Sequence, residues 1–157
     1  RHIATLDEQI ASLDQRIRNR ARADETARRL MSIPGIGPVC ATALEALAPP
    51  PETFARGRDF AAWLGLTPRQ NSSGGKVRLG RISRMGQRDL RRLLIIGATA
   101  VVRWAARRGA PAGSWLARMM VRKPRMLVAV ALANKMARIA WALMAKGGIY
   151  RSPAAAA

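Results

Sequence analysis

Leu30-Met31-Ser32-Ile33-Pro34-Gly35-Ile36-Gly37-Pro38-Val39, followed at once by the apolar run Cys40 to Leu47, is the stretch that decides the fold. Pro34 and Gly35 end one helix, Gly37 frees the backbone for a tight turn, and Pro38 has the fixed φ that suits the start of a second helix. The reading is helix, short turn, helix, and the rest of the chain extends it. Pro49-Pro50-Pro51 closes the second helix. A shorter helix, roughly Asp59 to Leu64, carries Phe60, Trp63 and Leu64 on one side and stops near Gly65 and Pro68, so Trp63 reads as a packing residue. Leu90, Leu93, Leu94, Ala98 and Val101 then line one face of a long helix from about Gln87 to Arg108. After Gly109-Ala110-Pro111 come a short helix around Trp115 to Val121, Pro124, and a second long helix from about Met126 to Lys146, ended by Gly147-Gly148. The expected fold class is mainly α: a helical bundle whose two long late helices pair antiparallel, with a tail over 151–157 whose alanines fray.

In front of the turn, Ile3, Leu6, Ile10, Leu13 and Ile17 alternate at three- and four-residue steps, the spacing that lays one apolar seam along a helix. A coiled-coil-like helix is expected over 1–30. Polar Arg20 and Asp24 occupy the next seam positions, so the seam is short and two readings stand: pairing into a homo-oligomer, or packing on the chain's own domain.

All nine acidic residues lie at or before Asp89, whereas the cations continue almost to the end and bring the net charge to +19 over 157 residues. Such self-repulsion is tolerated when a phosphate backbone neutralises it, so DNA or RNA is the expected partner. A helix-hairpin-helix is the motif that the segment at about 26–48 resembles; there Gly35 and Gly37 would let backbone N–H groups approach a phosphate at a helix N-terminus. An ordinary turn between helices is the alternative. The least helical stretch, residues 67–86, is expected to be a glycine-rich basic loop with a short strand at Val77 to Leu79. Its Arg69, Lys76, Arg78, Arg81 and Arg84, with Arg88 beyond it, are candidate backbone contacts, against the alternative of a solvated connector.

One cysteine, Cys40, and one histidine, His2, allow neither an intramolecular disulfide nor a Cys/His zinc site, and a reducing, cytoplasmic setting is expected. Apolar runs are interrupted by Arg or Lys before the roughly 20 residues of a membrane span, so no membrane partner is expected. The carboxylates are too scattered for a metal site, and no cofactor is expected in this chain. The nucleophiles left for phosphodiester chemistry are the serines and Tyr150. Tyr150 follows a Gly-Gly break near a chain end and reads as a partly packed anchor. Ser72 and Ser73 stand beside glycines that let a phosphodiester approach, with cations nearby to stabilise the charge of attack at phosphorus.

Ile33-Pro34-Gly35-Ile36-Gly37-Pro38, Leu64-Gly65-Leu66-Thr67-Pro68-Arg69-Gln70, Ser72-Ser73-Gly74-Gly75-Lys76 and Gly80-Arg81-Ile82-Ser83-Arg84-Met85-Gly86 occur in that order. Together they resemble the C-terminal transposase domain of the one-ten/eleven-eleven insertion-sequence transposases, nearest to the eleven-eleven branch. The resemblance covers nearly the whole chain. It implies a connector helix over 1–30, a transposase domain over 31–150, and a Piv-like serine recombinase that uses a bridge RNA. The family's catalytic serine corresponds to Ser73, with Ser72 the alternative register. Its partner RuvC-like domain, which holds Mg²⁺ on four carboxylates, has no counterpart in the sequence; the resemblance therefore implies a domain of a larger enzyme, catalytically incomplete alone, or a truncated remnant. The competing reading from composition is a noncatalytic nucleic-acid-binding module.

Overall fold

The computed structural model describes residues 1–153; the alanines expected to fray, 154–157, lie outside the described residues. Helix α1, His2–Ala23, ends because Asp24 takes an extended conformation and its carboxylate accepts from the Ala27 amide at 2.7 Å, capping α2, Glu25–Met31. The single helix expected over 1–30 is therefore two. An aspartate offers the backbone a cap in place of the next helical hydrogen bond, and here the cap wins. The turn over 32–37 leads into α3, Pro38–Leu47, and a short 3-10 turn, Pro51–Thr53, precedes α4, Gly57–Trp63. A two-stranded antiparallel sheet follows, β1 Pro68–Gln70 and β2 Leu79–Ile82, with a register irregularity between Pro68 and Gln70. The chain then returns to helix: α5 Arg88–Arg108, α6 Trp115–Arg122 and α7 Arg125–Lys146. The fold is mainly helical, as the sequence leads one to expect.

Helix α7 is the central element, packed on α5, α4, α2, α6 and the 3-10 turn. Its buried face is mostly small, Ala129, Ala133, Ala137 and Ala140, with Met136 filling the gap, so neighbouring helices come close. Helix α5 answers with Leu90, Leu94, Ala98 and Val102, a row at four-residue spacing that forms one ridge. Val102 clusters with Val128 and Ala129 near the start of α7, whereas Gly97 lies by Met136 further along it, so the pair runs antiparallel. Helix α7 alone, among the described residues, is long and apolar enough by length and composition to cross a membrane; Lys135 and Arg138 interrupt its apolar run, and its Ala129, Ala133, Met136, Ala137 and Ala140 are buried in the core of the bundle.

The decisive turn is pressed onto α5. Gly35 sits at φ 92°, and a Cβ on Gly97 would lie 2.0 Å from the Gly35 carbonyl oxygen. Two glycines thus let a turn and a helix touch backbone to backbone. The opening helix, by contrast, packs on α2 and α3 only near its C-terminal end, where Ala21 is buried and Arg20 pairs with Glu45 at 3.5 Å. Ile3, Leu6, Ile10 and Leu13 stay 52–76% exposed, so packing on the chain's own domain does not account for the seam.

Gly97→Ala is expected to destabilise the fold by about 1–3 kcal/mol, the usual cost of forcing an extra carbon into a packed contact. Urea unfolding monitored by circular dichroism measures it; an unchanged midpoint would contradict the close approach.

Candidate nucleic-acid interface

The stretch expected to be a loop over 67–86 is a β-hairpin. Gly74 and Gly75, at φ 59° and 78°, form the central pair of a two-residue turn, with the Lys76 amide donating to the Ser73 carbonyl at 3.1 Å. Positive φ at both central residues gives the turn whose twist suits a hairpin, so Gly-Gly here specifies a turn and not a connector. The Asn71 amide donates to the Arg78 carbonyl at 2.8 Å, and the second strand begins at Leu79, two residues later than the expected Val77. Every residue from 68 to 81 is exposed. Ser72 and Ser73 therefore stand at the tip in solvent, with Lys76 and Arg78 on the returning side.

The base of the hairpin is held firmly. The Ser83 amide donates to Thr67 O at 2.9 Å, Arg84 N to Gly65 O at 3.1 Å, and Gln87 N to Trp63 O at 3.3 Å. The Arg69 guanidinium reaches Ser83 O at 3.3 Å, and Arg91 Nη1 reaches Leu64 O at 3.1 Å. Gln87 then caps α5 through its side-chain oxygen, 2.8 Å from the Asp89 amide. Within this strap Arg84 takes φ 55°, the one non-glycine at positive φ among the described residues. Trp63 packs beside it against Phe60 and Phe54, at centroid distances of 5.8 and 5.9 Å, as a core aromatic should.

Between the hairpin base and helices α5, α6 and α7 lies an open cleft of about 1270 Å³. Arg81, Arg84 and Arg88 line it, joined by Arg91 and Arg92 from α5 and by Lys123 and Arg138 from the far side, and no carboxylate lines it. The last four were not singled out as contacts in the sequence. The 88, 91, 92 spacing was the available signal, since it puts those arginines on neighbouring positions of one helix face; nothing local announced Lys123 or Arg138.

The expected contact residues are thus divided among several places. Arg81, Arg84 and Arg88 meet in the cleft, Lys76 and Arg78 remain near the hairpin tip, and Arg69 braces its base. Gly35 turns toward α5 and lines a different groove, of about 840 Å³, while Gly37 is exposed at the N-cap of α3 with open space around it. Tyr150 is half-buried against the core, its amide donating to Ser32 Oγ at 2.8 Å. Burial pushes the Cys40 thiol up to about 12, so it stays protonated at neutral pH and is no nucleophile. Lys135, 4.8 Å over the Trp115 ring, is lowered by burial and by Arg138 and Arg118. Among the described residues no group of three or more His, Cys, Asp and Glu side chains could hold a metal ion.

Residues 27–111 match the model of the Transposase IS116/IS110/IS902 family. The chain belongs to that family. It is 48% identical over 149 residues to "Probable family 20 transposase" of Pseudomonas aeruginosa, covering 95% of this chain and 44% of the relative. It is 38% identical over 149 residues to the transposase for insertion sequence element IS1328 of Yersinia enterocolitica, covering 95% and 45%. It is also 39% identical over 145 residues to the transposase for insertion sequence element IS1111A of Coxiella burnetii, covering 92% and 40%. The chain spans 37–45% of the length of the curated relatives it matches. In this IS116/IS110/IS902-family chain the matched segment runs from α2 through the hairpin to the end of α5, so it includes both the Ser73 turn and the cleft-wall arginines Arg81, Arg84, Arg88, Arg91 and Arg92.

Proposed function

We propose that the chain is the DNA-binding and serine-nucleophile part of an insertion-sequence transposase acting in the bacterial cytoplasm. The observation that carries the reading is Ser73 at the exposed tip of a rigidly based hairpin, with Lys76 and Arg78 on the same hairpin. Ser73 Oγ attacks the scissile phosphorus, the bond to the 3′ oxygen breaks, and the 3′ oxygen leaves as a hydroxyl. The resulting phosphoserine ester conserves the bond energy until another 3′ hydroxyl displaces the serine. The hairpin cations stabilise the charge that builds on the equatorial oxygens. Water takes the proton of the attacking hydroxyl and returns one to the leaving 3′ oxygen; the carboxylates of a RuvC-like domain elsewhere in the full-length enzyme would hold Mg²⁺, which would assist this exchange by stabilising charge on the reacting oxygens. Without that domain the chain is catalytically incomplete. A bridge RNA is the second nucleic-acid partner in this reading, and the backbone amides of the exposed residues Gly37 and Val39 at the start of α3 supply a helix-hairpin-helix phosphate contact.

Affinity for unrelated duplexes is expected to fall steeply with salt, because phosphate contacts release counterions. Arg81→Ala or Arg84→Ala is expected to weaken binding to all sequences alike and to reduce the salt slope by about 1 each. Titrations at several salt concentrations measure this, and salt-independent binding would contradict it.

In the full-length enzyme with its RNA and DNA, Ser73→Ala is expected to abolish the covalent protein–DNA adduct while binding survives, and Ser72→Ala to retain it. Denaturing gel analysis of labelled DNA reads the adduct. Loss in Ser72→Ala alone moves the nucleophile by one residue; loss in Tyr150→Phe alone transfers the role to the phenol; survival in the Ser72/Ser73 double variant rejects the mechanism.

The exposed seam of α1 is proposed to pair with a second copy. Ile10→Asp with Leu13→Asp is then expected to lower the mass found by light scattering, since charge at seam positions opposes burial. A wild-type chain that is already monomeric would exclude pairing.

A further inference from the structure

The cleft has a floor that phosphate binding does not explain. Ile96 on α5 and Met126 and Leu127 on α7 are 55%, 61% and 48% exposed, and all three line the cleft whose walls carry the cations. Large apolar side chains gathered in solvent and rimmed by charge mark a surface that is covered in use. A duplex would satisfy only the rim, because its outer face presents phosphates and its base faces are hidden in the stack. An unpaired strand has a phosphate for each nucleotide and a base face free to lie on an apolar surface, which matches rim and floor together.

We infer that this cleft takes an unpaired nucleic-acid strand, with bases against Ile96, Met126 and Leu127 and phosphates on the surrounding arginines. The inference rests on the nucleic-acid reading above and names the form of the ligand. A second consideration favours a strand over an acidic amphipathic helix. The cations do not stop at the cleft: Lys76 and Arg78 lie along the hairpin, and Arg103 is exposed further along α5. Nor does any acidic residue follow Asp89. A helix segment matches a bounded patch, whereas a strand keeps its charge density past both ends of the cleft. Trp115 lines the cleft as well, with Lys135 over its ring. DNA and RNA strands share the chemistry argued here, and the experiment separates them.

Equal-length single-stranded DNA, single-stranded RNA and duplex DNA are titrated against the purified chain by fluorescence anisotropy at one salt concentration. The same titrations are run on Ile96→Ser/Leu127→Ser and on Arg92→Ala, with circular dichroism confirming that each variant is folded. Both apolar residues are already about half exposed, so their replacement spares the core. The double variant is expected to weaken single-strand binding about tenfold, through loss of the apolar surface against which the bases lie, and to leave duplex binding nearly unchanged. Arg92→Ala should weaken both. A stronger effect on RNA than on DNA, or the reverse, supports the inference and identifies the strand. Equal losses for strand and duplex, or no loss for the strand, would overturn it even though nucleic acid still binds. Displacement of the strand by an acidic amphipathic peptide at lower concentration than by unlabelled strand would assign the cleft to a protein partner instead. Absence of all nucleic-acid binding to the parent chain would refute the underlying reading and this inference with it.

Discussion

The pairing of α5 with α7 is the contact on which the rest depends. It is dry and close: α7 offers alanines at 129, 133, 137 and 140, and α5 lays the row Leu90, Leu94, Ala98 and Val102 along the partner helix. Because the alanine face is narrow, the turn carrying Gly35 also reaches the backbone of α5 at Gly97, with the Met136 methyl beside both. One helix pair thus joins the early helices to the late ones. Its outward face does different work. Ile96, Met126 and Leu127 lie on the same two helices but point into the cleft, so the geometry that makes the core also sets the cleft floor.

Packing of this quality is needed because the electrostatics oppose folding. Among the described residues the ion pairs are Arg20–Glu45, Arg29–Glu25 and Arg56–Asp59, all within the first part of the chain, and the first and last of these join strongly exposed arginines. Such pairs contribute little. Beyond Asp89 no carboxylate exists to pair with. No polar or charged residue is buried among the described residues, so the interior avoids desolvation costs while the surface carries the repulsion. A polyanion relieves that repulsion on binding, which couples occupancy of the basic cleft to stability.

The hairpin stands apart from this economy. Its strands are exposed except for Ile82, which packs against the core, and an isolated two-stranded ribbon is marginal in water. What holds it is the strap of hydrogen bonds from Ser83, Arg84 and Gln87 to the segment from Trp63 to Thr67. The base is consequently part of the rigid body, and the tip with Ser73 projects from it. That division fits the proposed role of Ser73, which would have to reach a phosphodiester held on a neighbouring surface.

The helices were legible in the sequence because each is punctuated locally: Pro38 and Pro124 at starts, Gly109 and Gly147 at ends, and apolar periodicity between. The family was legible for a similar reason, since its motifs are short runs of neighbouring residues, and the match over 27–111 bears them out. The Asp24 break was not, because aspartate in a polar helix gives the same local pattern whether it caps or continues. The hairpin was missed because Pro68, Arg69 and Gln70 have no strand alternation, and their pairing with Leu79 to Ile82 is a property of two segments together. The order of residues by itself determined that this protein is mainly helical, strongly basic and without acidic side chains after Asp89. Only the tertiary structure decided which cations converge. Arg88, Arg91 and Arg92 meet Lys123 and Arg138 because α7 folds back along α5, and that return is set by close packing between faces far apart in the chain.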